Sequence, residues 1–196
     1  MKYFVHIIIF LLILQTSKLY GQTDNETVNF TAVLASILNI NVTSGATQTA
    51  TFDTPAEYNF GIDAVGTTTV TMESTSNWNL KIRAANFVNG GASIPINNLG
   101  VWCQATGNHS FGNEVTCTFT SLGNAKGITT NDQILMDNRT NNRGNAADNT
   151  FNLNWTMGTM NGTMNGNSMF SQVADGTISA LGTFNTTVQL TLTAIP

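Results

Sequence analysis

The sequence predicts an all-β protein: an antiparallel two-sheet β-sandwich behind an N-terminal signal peptide. Three observations predict it. Apolar residues recur at every second position in one segment after another, and a strand turns successive side chains to opposite faces, one greasy and one wet. Thr, Asn and Gly crowd the chain where charged residues would ordinarily stand; Thr favours strands, Asn and Gly favour turns. Helical periodicity is nearly absent, whereas a parallel α/β sheet needs amphipathic helices between its strands.

The chain opens Met1-Lys2-Tyr3 and continues through the apolar run Phe4 to Leu14. A positive start and a run of about a dozen apolar residues suit a secretory signal, since a bilayer span needs ~20. The polar stretch Gln15 to Tyr20 leads to the small residue Gly21, which sets a signal peptide over 1–21 and one domain over 22–196. An uncleaved N-terminal anchor is the alternative. No cysteine follows the apolar run, so the thiol that a lipoprotein anchor acylates is missing there. The expected location is therefore outside the inner membrane, in the periplasm, at the cell surface or beyond, with no membrane span in the mature form.

The segment Val28 to Val42 comes next. Its even positions Val28, Phe30, Leu34, Leu38, Ile40 and Val42 form a strand face, although Ala32 to Leu38 also carries a helix-like spacing. Strand is favoured. Further strands are expected at Gln48–Phe52, Thr67–Met72, Asn77–Arg83, Val101–Ala105, Val115–Thr120, Gln133–Met136, Phe151–Met157, Thr177–Leu181 and Phe184–Ala194. In Asn77–Arg83 the residues Trp78, Leu80 and Ile82 share one face, and Asn79, Lys81 and Arg83 the other. Nine or ten short strands joined by Gly/Asn turns suit a sandwich of immunoglobulin-like or pilin-like type. The tetrapeptides beginning at Gly158, Gly162 and Gly166 are too few and too small for a solenoid. They read as a long, mobile, turn-rich loop.

Composition narrows the function. Residues 22–196 keep only Lys81, Arg83, Lys126, Arg139 and Arg143 as bases against all eleven acids. A mildly acidic domain lacks the dense basic face that nucleic acid requires. Charged residues make up 9% of the chain, against ~25% in an ordinary soluble domain, so the surface is polar yet nearly uncharged.

Each chemistry-bearing group has a competing reading. Cys103 and Cys117 lie on neighbouring expected strands either side of a turn-forming segment. A hairpin centred near Ser110 would set them opposite each other, with Cβ atoms ~5 Å apart. In an exported chain that favours a disulfide over two free thiols. His109, the one histidine after the signal, sits in an expected turn with no catalytic signature around it, so no enzyme is expected. The Asn/Asp-rich stretch from Asn131 to Asn149 offers hard oxygens but no calcium-loop spacing, and reads as a surface loop. Met157, Met160, Met164 and Met169 offer thioethers, but one faces the core and the rest follow from the repeat. No metal or cofactor is expected. Trp78 and Trp155 alternate with aliphatic residues and belong in the core. Trp102 differs: if Val101 and Cys103 point inward, it points out, as a plate for a sugar ring or a partner, unless a loop buries it.

The closing segment Gly182 to Thr193 resembles the last strand of exported bacterial β-sandwich proteins, among them fimbrial-subunit-like and WxL-like surface proteins. The stretch Thr69 to Leu80, with Ile94-Pro95 and Asn98-Leu99, is similar to secreted proteins of Bacteroidota. Trp78-Asn79-Leu80 carries the WxL letters without the second, paired motif. The resemblance implies a structural or surface role and transfers no functional residue. The expected function is a non-enzymatic, exported structural or adhesive cell-surface protein, such as a fimbria-like subunit, with copies of itself or other surface proteins as partners. In that case Val28 to Val42 is the natural strand to donate to a neighbour. The alternative is an extracellular carbohydrate-binding module that uses Trp102 and the Asn-rich loops.

Overall fold

The computed structural model describes Glu26 and residues 29–195; the expected signal peptide lies outside them. The chain divides into two units, Met1–Leu34 and Ala35–Pro196. Of the first, residues 29–34 carry neither helix nor strand and are exposed. The second is predominantly β, built from antiparallel sheets.

In chain order the second unit comprises β1 (Leu38–Ser44), α1 (Pro55–Phe60), β2 (Ile62–Ser74), β3 (Asn77–Ala84), β4 (Phe87–Asn89), β5 (Ala92–Ile94) and β6 (Leu99–Ala105). These are followed by β7 (Val115–Thr116), β8 (Lys126–Gly127), β9 (Gln133–Asn138), β10 (Gly144–Met157), α2 (Met169–Ala174) and β11 (Val188–Ile195). One sheet has the order β1-β2-β10-β6-β8, a second β11-β3-β9-β7, and β4-β5 form a small hairpin.

Alternation decides which side chains point inward. Val70 and Met72 of β2, Val101 and Cys103 of β6, and Phe151 and Leu153 of β10 come from the five-stranded sheet. Trp78, Leu80 and Ile82 of β3 come from the four-stranded one, as do Leu135 and Met136 of β9, consecutive residues that are both buried where a register shift interrupts the β3–β9 pairing. All of them meet in one core cluster. Phe151 stands edge-on to Trp78 at 6.0 Å and stacks on Phe111 at 5.6 Å, so aromatic contacts reinforce the closure. A second cluster joins Ile94, Met157, Met169 and Ile178.

Two polar plugs hold the rims. Asn142, in the β9–β10 turn, is fully buried. It accepts from the Trp78 backbone N–H at 3.0 Å and donates to the Trp78 carbonyl at 2.8 Å, while Trp78 Nε1 donates to the Asn142 carbonyl at 2.6 Å. Asn142 thus acts as a one-residue strand for groups that would otherwise be buried unpaired. Asn98 and Gln172 exchange two amide bonds of 2.9 and 2.8 Å out of solvent. They tie α2 to the turn ahead of β6.

Several expectations are corrected. The strand expected over 28–42 begins at Leu38, and Val28 lies outside the described residues. Within the second unit Leu38–Val42 already pair with Ser74–Val70 of β2, so that the last third of the supposed donor is spent in its own sheet. Residues 48–52 and 177–181 form no strand. Gln48 instead covers the free edge of β2, donating to Thr67 O at 3.0 Å, one of the devices that protect an open edge. The 158–169 repeat is not a loose loop. Met164 and Met169 are buried in it, and Gln172 binds the carbonyls of Asn167 and Ser168. Its apolar sulfurs give it something to bury. The Asn-rich stretch 131–149 is largely strand as well, in β9 and the start of β10. Two short helices were unforeseen, although Thr54-Pro55-Ala56-Glu57 spells a capping box that the structure forms.

Candidate functional site

Two features of β6 carry the functional interest: the outward Trp102 and the inward Cys103. In β6 the residues Val101 and Cys103 are buried, so pleating turns Trp102 and Gln104 to the opposite face. There Trp102 lies across from Asn154 of β10, and Asn154 from Thr67 of β2. One step along, Gln104 faces Asn152 and Asn152 faces Thr69. Thr67 Oγ1 donates to Asn154 Oδ1 at 2.8 Å, and Thr69 Oγ1 to Asn152 Oδ1 at 2.9 Å. The indole is half-buried, set into a comb of hydroxyls and amides. Asn154 Nδ2, beside it, is shielded from water and has no hydrogen-bond partner.

The cysteines meet by a route that differs from the expected hairpin. β7 pairs with β9, Val115 opposite Asn138 and Thr116 opposite Asp137, while β6 lies between β10 and β8. Residues 106–109 fold back on β10 instead, with the N–H groups of Thr106 and Gly107 both bonded to Thr150 O. The length of β10 is the reason: it extends past the end of β6 and captures that loop. Past β7 the chain crosses to β6, where Cys103 N–H donates to Phe119 O at 2.6 Å. That crossing brings the thiols together. They are unbonded in this structure. Interaction with the Cys103 side chain lowers the Cys117 pKa, while burial pushes Cys103 well up. The pair therefore sits where the chain passes from one sheet to the other.

The remaining candidates are occupied structurally. His109 Nδ1 is 2.9 Å from Asn149 Oδ1, fastening its loop to β10. Among the described residues no three His, Cys, Asp or Glu side chains gather as metal ligands. Within the Asn-rich stretch, Asp132 lies 3.4 Å from Arg83, Asn142 is committed to Trp78, and Asp148 accepts from Asn108 and from the Asn145 N–H. Met157 and Met169 belong to the second core, and Met164 packs near Gly100.

Sequence reasoning missed a cleft of about 360 Å³ beside the second core, lined in part by Phe52, Tyr58, Phe87, Met169 and Phe184. Its walls combine the two short helices and the β4–β5 hairpin with irregular segments around Phe52 and Phe184, pieces too short for periodicity to give a signal. Among the described residues no helix is long and apolar enough to cross a membrane.

No protein-family model matches the chain, and no curated protein matches it significantly.

Proposed function

We propose that the protein is an exported, non-enzymatic structural or adhesive component of the cell surface, its two sheets stacked as a β-sandwich. The observation that carries this reading is the outward face of the five-stranded sheet. Its amides and hydroxyls are organised across three strands and surround a half-exposed indole, an arrangement that serves contact rather than bond-breaking. The occupation of His109 by Asn149 supports the same reading, as does the signal-like start. Partners are other surface components or further copies of this chain. Phe30, Val33 and Leu34 are exposed and give residues 29–34, rather than the whole of 28–42, the character of a self-association segment.

The test is localisation combined with attachment. Expression of the full chain in a Gram-negative host should yield protein that begins near Gln22 and is cleaved by protease added to intact cells. Its display should increase adhesion of those cells to surfaces or to one another. Protein confined to the cytosol with Met1 intact, or displayed protein without any effect on attachment, would overturn the proposal.

A further inference from the structure

We infer that the outward face of the five-stranded sheet binds a neutral polysaccharide, with a sugar ring stacked on Trp102. The inference rests on the proposed surface role and names its ligand class. Three features of the face lead to it.

The first is charge. Trp102, Asn154 and Thr67 form one row across the strands and Gln104, Asn152 and Thr69 the next, and none of the six ionises. The acids of these strands lie outside both rows: Asp63 and Glu73 of β2 and Asp148 of β10. Glu73 is met by Asn39 Nδ2 at 3.4 Å, and Asp148 by Asn108 and the Asn145 N–H. A nucleic acid or an anionic polysaccharide would need cations here. A protein partner would need a larger apolar patch than one indole.

Hydrogen-bonding polarity is the second. Each Thr hydroxyl donates its proton to the Asn carbonyl opposite. This fixes both amides in orientation, leaving Asn152 Nδ2 and the lone pairs of Thr67 and Thr69 for an outside group. A surface offering donors and acceptors side by side matches a sugar hydroxyl, which is both at once. Because the amides are already held, little side-chain freedom is lost on binding.

The third is geometry. Strands lie ~4.8 Å apart and alternate residues ~6.8 Å apart along a strand. The two rows therefore make a shallow plate about 10 Å across, which suits an extended chain of sugars. Next to the indole, Gln104 is exposed and adds an accessible amide at the edge of the plate.

Affinity electrophoresis of the exported full chain tests this, using native gels cast with xylan, a soluble mixed-linkage glucan, mannan or galactan, and with polygalacturonate as the anionic comparison. The expected result is retardation by at least one neutral polymer and none by polygalacturonate. Trp102→Ala should weaken it at least tenfold and Gln104→Ala severalfold, whereas Lys81→Ala, on the other sheet, should leave it unchanged. An unchanged thermal midpoint shows that the Trp102→Ala variant is folded. Should that variant unfold, Gln104→Ala and Trp102→Phe carry the test, the latter retaining part of the affinity. Failure of every neutral polymer, binding that survives Trp102→Ala, or equal retardation by polygalacturonate would overturn the inference. Displayed protein that still promotes attachment to deglycosylated surfaces would sink the glycan inference and spare the adhesive role. Cytosolic protein would sink the role itself.

Discussion

The outward faces of the two sheets are built from similar residues and yet differ in character. On the five-stranded sheet, Thr67 and Thr69 bond Asn154 and Asn152 across the strand gap, and no base interrupts the comb. On the four-stranded sheet, β3 presents Asn77, Asn79, Lys81 and Arg83 against β11. Arg83 reaches both Gln189 Oε1 at 2.9 Å and Asp132 at 3.4 Å. Asn77 Oδ1 and Asn79 Oδ1 find no partner there, and Ile134 stands exposed opposite Lys81. The difference comes from pairing. An Asn carbonyl opposite a Thr is fixed only where the hydroxyl reaches it, as at Asn152 and Asn154; Asn79 also lies opposite a Thr, Thr193, yet its Oδ1 stays unpaired. A strand's composition gives its polarity, but its neighbour decides whether that polarity is organised.

Substitutions sharpen the contrast by separating what holds the sheets together from what decorates them. The largest effect is expected at the rim. Asn142→Leu strands the Trp78 N–H and C=O in the interior, at about 1–3 kcal/mol for each group, so urea unfolding should show a loss of about 4 kcal/mol. A loss below about 1 kcal/mol would mean that the four-stranded sheet does not depend on its plug.

Next comes oxidation of the cysteine pair. A Cys103–Cys117 disulfide would close a loop worth about 3 kcal/mol in the chain-entropy description and would link β6 to the segment leaving β7. Protein recovered from an oxidising compartment should show no alkylatable thiol by non-reducing mass spectrometry and should lose that increment on reduction. Two alkylatable thiols would remove the bridge.

Gly100→Ala should follow. Its added methyl would drive into Met164 Sδ and Thr156 Cγ2, and overpacking of this kind costs about 1–3 kcal/mol. The thermal midpoint should fall, and Met164→Ala in the same chain should restore part of it.

The outward faces themselves should contribute least. Thr69→Val removes one cross-strand hydrogen bond, a change of about 1 kcal/mol. Arg83→Ala breaks an ion pair whose side chains are 47% and 45% exposed and should shift stability by less than about 1 kcal/mol. A larger change at Arg83 than at Thr69 would invert the comparison.

How much of this could be read from residues alone follows the same division. β3, β6 and the central part of β10 were legible because Trp78-x-Leu80-x-Ile82, Val101-x-Cys103 and Phe151-x-Leu153-x-Trp155 alternate without a break. The outward direction of Trp102 followed from its neighbours by the same rule. What stayed hidden were features that one strand's pattern does not contain. Cys103 and Cys117 meet, but through a crossing between sheets, because Val115 found its partner in Asn138. The Thr–Asn comb depends on the register of β2 against β10, which sets Thr69 opposite Asn152 rather than beside it. Asn142 looked like one more polar turn residue. Only the buried backbone of Trp78 gives it a role.

The central claim is that the organised, uncharged face is the one that meets the outside world. Two-dimensional NMR of the labelled protein, titrated with an oligosaccharide cut from the polymer that retards it, tests this most directly. Shifts are expected at the Trp102 indole N–H and at the side-chain amides of Gln104, Asn152 and Asn154, while the resonances of Lys81 and Arg83 stay in place. Shifts confined to the Lys81–Arg83 face, with Trp102 unmoved at saturation, would contradict it.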